Sequence, residues 1–219
     1  MIKRALISVY EKKGLGDLVK KLCEFGVKIL SSGGTGEKLR ELGYPVTDII
    51  TYTGYPEMPD ALVKTLHPQI HGGILLNPSN PIQHEYMKEQ GIEKIDIVVV
   101  NFYPLPKMKA YDEIMLREIA KRIDIGGLAL ARAAAEATFL YETLTVVTDT
   151  DRYKLVINEL EKNKGNISGE TKRMLALKTF EKTKSYDEAI ASLLSKISRL
   201  EDRKELIEVL KRENKLKLL

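Results

Sequence analysis

A chain of 219 residues, 43% hydrophobic and 30% charged, has the composition of an ordinary folded protein, long enough for one sizeable core or a core with an extension. No apolar run approaches the roughly 20 residues of a membrane helix, and residues 2–9 read as a strand rather than a signal peptide. A single cysteine, Cys23, excludes an intrachain disulfide, and together these features point to the cytoplasm. The net charge of +4 resides in residues 170–219, where 13 Lys and Arg face 9 Asp and Glu; residues 1–169 balance at 22 against 22. The first part therefore lacks the basic excess of a nucleic-acid binder, and the basic tail reads as a solvated helical face.

Residues 2–9 are apolar and β-branched after a basic opening, as expected of a buried parallel strand. Leu15, Leu18, Val19, Leu22 and Phe25 recur at spacings of three and four, one face of a helix over 14–25 that Gly26 stops. Cys23 falls within it and reads as helix core. A second strand over 27–30 runs into Ser-Ser-Gly-Gly-Thr-Gly (31–36), and a helix over 35–42 comes next with Gly43 as its cap. Strand, helix, strand, loop, helix is the opening of a doubly wound sheet. Residues 44–61, rich in Gly, Pro and Thr, read as an irregular loop, and 71–76 as a short strand. A helix over 81–90 precedes 95–102, the most strand-like stretch of the chain. Residues 111–122 are amphipathic, 126–140 form an alanine-rich helix opened by Gly-Gly, and 144–147 give a last strand. Beyond Asp149 the pattern is helical over 151–163, 169–195 and 201–217. The expected organisation is an α/β nucleotide-binding core over 1–150 and a helical extension over 151–219 packed on it.

Reactive side chains gather where these strands end or helices begin, the places where open α/β sheets bind ligands. Val-Lys-Thr-Leu-His-Pro (63–68) sets a cation, a hydroxyl and an imidazole (Lys64, Thr65, His67) within four residues. Pro68 keeps His67 extended and hence outside a helix. In 31–36 the glycine pair Gly33 and Gly34 lets backbone N–H groups converge on an anion at a helix start. Ser32 and Thr35 add hydroxyls, and Lys12, just after the first strand, a counter-charge. The spacing is neither a Walker A loop nor a Rossmann fingerprint, and an ordinary strand–helix turn remains the alternative. Asn101 and Tyr103 lie in Asn-Phe-Tyr-Pro (101–104), where Tyr103 also fits an edge-packed tyrosine. Asp124, before Ile125, Gly126 and Gly127, fits a helix N-cap as readily as a proton-transfer group. His71 and His84 show no paired ligand spacing, so no metal is expected.

Six stretches taken together resemble one family: Ser-Val-Tyr-Glu-Lys-Lys-Gly-Leu (8–15), Ser-Gly-Gly-Thr (32–35), Thr-Gly-Tyr-Pro-Glu-Met (53–58), Val-Lys-Thr-Leu-His-Pro (63–68), Asn-Phe-Tyr-Pro (101–104) and Ile-Asp-Ile-Gly-Gly (123–127). The family is inosine monophosphate cyclohydrolase, the N-terminal domain of the bifunctional purine-biosynthesis protein. Arg132-Ala-Ala-Ala and Ser-Tyr-Asp-Glu-Ala-Ile (185–190) extend the resemblance over residues 3–195. It implies a methylglyoxal-synthase-like fold, a mainly parallel sheet with helices on both faces, and a homodimer. It also implies closure of 5-formamidoimidazole-4-carboxamide ribotide (FAICAR) to inosine monophosphate with loss of water. Purine ribonucleotides are then substrate and product, without metal or organic cofactor, nucleic acid or membrane. The attack is intramolecular, so a proton acceptor and an oxyanion stabiliser are the parts the protein must supply. By the resemblance Lys64, Tyr103 and Asp124 are catalytic: Lys64 polarises a carbonyl, Asp124 moves a proton, and N–H groups around Ile125, Gly126 and Gly127 face the oxyanion. Lys12, Ser32, Gly33, Gly34, Thr35 and Thr65 hold phosphate and ribose, and Asn101 lies near the base.

Three departures from the family stand out. Glu136 and Ala137 occupy positions where relatives carry a catalytic lysine and an asparagine, and an unbroken helix would put Glu136 about 18 Å from Asp124. Leu62 stands where many relatives have an arginine. The chain ends at Leu219 without the opening of a transformylase domain, so none is expected and a separate transformylase becomes a partner. Two other readings stay open: a nucleotide-binding scaffold that recruits such a transformylase, and methylglyoxal synthase, against which Lys-Thr-Leu-His-Pro and Asn-Phe-Tyr-Pro argue.

Overall fold

The computed structural model describes residues 1–56, 58, 63–104 and 123–198. Five strands, β1 (Arg4–Ser8), β2 (Lys28–Ser31), β3 (Val46–Asp48), β4 (Ile97–Val100) and β5 (Thr145–Val147), make one parallel sheet in the order β3-β2-β1-β4-β5. Leu6 of β1 registers with Leu30 on one side and Val98 on the other. Ala5, Leu6 and Ile7 are fully inaccessible, as are Ile97, Val98 and Val99. Burial on both faces explains why these strands read as continuous apolar runs rather than alternations. From β1 the chain winds outward through β2 and β3, then returns to β4 and β5 on the other side. The reversal leaves a crevice outside the carboxyl ends of β1 and β4, the usual place for a ligand in such sheets.

Eight α-helices lie among the described residues: α1 (Leu15–Glu24), α2 (Gly33–Glu41), α3 (Ile49–Thr53), α4 (Pro68–Leu75), α5 (Pro81–Glu89), α6 (Gly126–Tyr141), α7 (Tyr153–Lys162) and α8 (Gly169–Ser198). Leu15, Leu18, Val19 and Leu22 of α1 join Tyr153, Val156 and Leu160 of α7 in one apolar cluster with Ala5, Ile7, Ile29, Ile97 and Val99 of the sheet. Gly26 ends α1 as expected, with the Val27 N–H donating to the Leu22 carbonyl at 3.0 Å. Helices α4 and α6 pack together, and α6 also lies on β4 and β5. The chain forms two compact units, Met1–Phe102 with Ile125–Thr183, and Tyr103–Asp124 with Lys184–Leu219.

Two expectations are corrected. Residues 71–76 belong to helix α4 and its end, not to a strand. A short apolar run carries no decisive period, and the helix is set by the two residues before it. His67, extended at φ −129° and ψ 141°, caps α4 as its Nδ1 accepts the Gln69 N–H at 3.2 Å. Pro68 stands at the first helical position, where a missing N–H costs nothing. At the other end Lys94 donates to the carbonyls of Ile74 and Leu76 at 2.9 and 3.0 Å. The glycines let α4 press on the chain entering β4: a Cβ on Gly73 would stand 2.7 Å from the Glu93 carbonyl oxygen. The second correction concerns 44–61, which holds the three-residue edge strand β3 and the helix α3 capped by Asp48. Residues 111–122, 201–217 and Leu62, on which further expectations fell, lie outside the described residues.

Candidate active site

Helix α2 starts two residues earlier than its hydrophobic spacing suggests, at Gly33, so the glycine pair forms its first turn. The first N–H groups of a helix have no carbonyl partner within it, and the dipole places positive charge there. Ser32 is the N-cap residue, yet its hydroxyl makes no capping hydrogen bond and instead lines a cleft. Gly33 has φ +53°, a conformation that a Cβ disfavours. Thr35 is used differently: its hydroxyl accepts the Val9 N–H at 3.1 Å and donates to the Val9 carbonyl at 2.9 Å. It fixes the start of α2 to the end of β1, and its hydroxyl is engaged there.

Lys64 and Thr65 connect this helix start to a second one. A Cβ on Gly33 would stand 3.1 Å from Lys64 Nζ, and a Cβ on Gly126 only 2.9 Å from Thr65 Oγ1. Two adjacent residues thus press against the first residues of α2 and α6. At Gly126 a Cβ would crowd the Thr65 hydroxyl below any ordinary contact distance, whereas at Gly33 the left-handed φ, more than the flexible Lys64, favours glycine. The chain reaches this position through Val63, held at φ 61°. For a β-branched residue that conformation costs roughly 1–3 kcal/mol. Ile125, the N-cap residue of α6, supplies no side-chain cap hydrogen bond to the helix that begins at Gly126 and Gly127.

A cleft of about 290 Å³ opens beside Ser32 and Lys64, walled by Ile49, Thr53, Met58 and His67 among others. The Tyr55 ring tilts over that of His67 at 5.8 Å between centroids. The α3 contribution is hidden when 44–61 is read as loop. Its signal lay in Thr-Gly-Tyr-Pro-Glu-Met (53–58), a stretch that carries the resemblance without an assigned role. Lys12 turns back to the end of β1, its Nζ on the Tyr10 carbonyl at 3.2 Å. Asn101 Oδ1 accepts the N–H groups of Tyr10 and Glu11 at 2.7 and 3.0 Å, and its Nδ2 donates to the Glu11 carbonyl at 3.0 Å. Its amide therefore holds the loop after β1.

In the second unit the Tyr103 N–H donates to Asp124 Oδ2 at 3.3 Å, and the Asp124 N–H donates to the Tyr186 hydroxyl at 3.0 Å. Burial pushes the Tyr186 phenol up from its ordinary range. Glu136 lies exposed on α6, ten residues beyond Gly126 along an unbroken helix, roughly 15 Å of rise. Among the described residues no group of His, Cys, Asp and Glu could hold a metal ion. No helix among them is long and apolar enough to cross a membrane.

A parallel sheet in the order β3-β2-β1-β4-β5 with helices between its strands defines a domain of the doubly wound α/β class. Residues 14–129 match the family model described as MGS-like domain, and the chain belongs to that family. Residues 137–218 match the model described as AICARFT/IMPCHase bienzyme. Among curated proteins, the bifunctional purine biosynthesis protein PurH of Chlorobium phaeobacteroides (strain DSM 266 / SMG 266 / 2430) is 45% identical over 195 residues. The match takes in 89% of this chain and 37% of that protein, so the chain spans little more than a third of its relative. The crystal structure of ForH superposes with a TM-score of 0.78 at 31% identity, over 89% of this chain and all of that one.

Proposed function

We propose that this chain is an inosine monophosphate cyclohydrolase, closing the ring of FAICAR in purine biosynthesis. The observation that carries the reading is the seating of Lys64 and Thr65 on the first residues of α2 and α6. Support comes from the similarity to a purine biosynthesis protein and from the bienzyme model over 137–218. The start of α2, with Ser32, Gly33, Gly34 and the Thr35 N–H, takes the 5′-phosphate, and Lys12 adds charge beside it. Thr65 lies toward the ribose.

In the reaction the carboxamide nitrogen attacks the formyl carbon, a C–N bond forms and the formyl oxygen becomes an alkoxide. The attacking nitrogen loses one proton, and the formamide nitrogen a second as it forms a double bond to the former formyl carbon. Both protons go to the oxygen, whose bond to that carbon breaks as water leaves. Lys64 polarises the reacting carbonyl, and the N–H groups of Gly126 and Gly127 stabilise the oxyanion. Asp124 accepts the amide proton and returns it to the leaving oxygen, with Tyr103 holding its carboxylate. Intramolecularity already brings nucleophile and electrophile together, so placed charges and a proton carrier suffice. The active form is a homodimer, and a transformylase on a separate chain or an adjoining segment supplies the formylated ribotide.

A turnover assay with FAICAR tests the reading: the native chain produces inosine monophosphate and Lys64→Ala does not. A second reading, nucleotide binding without turnover, is favoured by Glu136 in the place of the family lysine. Tight binding of inosine monophosphate with no cyclisation would establish it instead.

A further inference from the structure

Past the end of β1 the chain leaves the sheet, and the backbone groups of residues 9–11 are engaged by side chains. Thr35, in the first turn of α2, takes the Val9 N–H and gives its hydroxyl proton to the Val9 carbonyl, at 3.1 and 2.9 Å. Asn101, just past β4, takes the Tyr10 and Glu11 N–H groups on Oδ1 at 2.7 and 3.0 Å. Its Nδ2 donates to the Glu11 carbonyl at 3.0 Å. The Tyr10 carbonyl is met by Lys12 Nζ at 3.2 Å. Two side chains from distant parts of the chain thus set the course of the loop, and the third is the ammonium the loop presents. The orientation of the Asn101 amide follows from its partners, since only its oxygen can accept two N–H groups and only its nitrogen can donate to a carbonyl. Both lone pairs of Oδ1 are then spent. The side chain keeps no acceptor with which to read a base.

We infer that Asn101 is a positioning residue for nucleotide binding, holding the Tyr10–Glu11 backbone so that Lys12 stands beside the start of α2. The inference rests on the nucleotide reading of the site. The Val9 carbonyl ties loop and helix together: it accepts the Thr35 hydroxyl, and Lys12 Nζ lies 3.5 Å from the same oxygen. The ammonium therefore shares one acceptor with the first turn of the helix that takes the phosphate in that reading. Without the Asn101 amide, the Tyr10 and Glu11 N–H groups lose their protein acceptor and turn to water. The loop gains freedom and the ammonium loses its fixed place. Preorganising one cation is a contribution that vanishes when the cation itself is gone.

A double-mutant cycle read by calorimetry with inosine monophosphate is the test, in the native chain, Lys12→Ala, Asn101→Ala and the double variant. Lys12→Ala is expected to weaken binding about 10–100-fold, the scale of a hydrogen bond to a charged group, and Asn101→Ala about 3–30-fold. In the Lys12→Ala background, Asn101→Ala costs less than about twofold more, within the error of such cycles. Hydrogen exchange gives a second readout that needs no variant to fold: the Tyr10 and Glu11 amides are protected in the native chain. Losses that add across the cycle, as they do for a side chain touching the ligand itself, overturn the inference alone. So does either single variant binding as tightly as the native chain, and so do unprotected Tyr10 and Glu11 amides. A native chain that does not bind inosine monophosphate overturns the nucleotide reading and the inference with it.

Discussion

Gly126 shows how little room the chemistry leaves. Adding one carbon there sets it 2.9 Å from the hydroxyl of buried Thr65, closer than real Cβ contacts allow. Alanine suits the helix itself better than glycine, so the fold tolerates Gly126→Ala while Lys64 and Thr65 are displaced. Turnover of FAICAR by Gly126→Ala is expected to fall at least tenfold, since misplacement by an ångström can cost about 10²-fold. Thermal melting should stay within a few degrees of native, and a fall in melting with turnover intact would contradict this account. Lys94 gives a residue-scale prediction of another kind. Burial pulls its ammonium down to about 8, against the partial support of Asp96. An unfolded lysine titrates near ~10.4. Between those values the unfolded chain binds more protons than the folded one, so stability rises with pH through this window. Denaturant midpoints taken at intervals from pH 8 to pH 10 should climb more steeply in the native chain than in Lys94→Met.

At the scale of elements, α4 carries both the site and the clearest lesson about legibility. His67 caps it through Nδ1 while its ring lines the cleft. His67→Ala should lower stability by about 1 kcal/mol, the usual cost of a lost cap, or roughly 2–4 °C of melting temperature. Asparagine, a better cap, should restore the melting temperature in His67→Asn; failure to do so would remove the capping role. The sequence rule for Pro68 correctly kept His67 outside a helix, but it does not reach the residues beyond the proline. Ile-His-Gly-Gly-Ile-Leu is apolar without a period, and its glycines suggest no helix until the backbone of Glu93 is seen against Gly73. Strands β1, β2, β4 and β5 were legible because burial on both faces writes itself as apolar runs. β3 has three residues at the sheet edge, too few for a pattern. In the site, residue types and spacing singled out Lys64, Thr65 and the glycine pairs. That Thr65 belongs with Gly126 and Lys64 with Gly33 is a long-range contact, which no local pattern encodes. The clamp role of Asn101 was hidden for the same reason, its partners lying 90 and 91 residues earlier in the chain.

For the whole molecule the question is whether one chain holds everything turnover requires. Glu136 stands exposed on α6, about 15 Å of helix away from Gly126, where Thr65, the neighbour of Lys64 in the chain, is seated. A side chain at 136 therefore does not reach the Lys64–Thr65 site of its own chain. It contributes only if a second copy brings it to that copy's partner, which ties the meaning of the substitution to the oligomer. In the proposed homodimer, light scattering on active protein should give twice the chain mass, and turnover per chain should fall on dilution below the dimer's dissociation constant. If Lys64 and Asp124 with the α6 start perform the chemistry, Glu136→Lys changes the rate less than tenfold. Lys64→Ala then loses ~10²–10⁴-fold, the span that one acid–base or polarising group contributes. Three rates measured side by side decide the matter: native, Glu136→Lys and Lys64→Ala. If the native chain and Lys64→Ala are equally inert while Glu136→Lys turns over, the cyclohydrolase reading fails for the native chain. The protein is then a nucleotide-binding relative whose chemistry was lost at position 136.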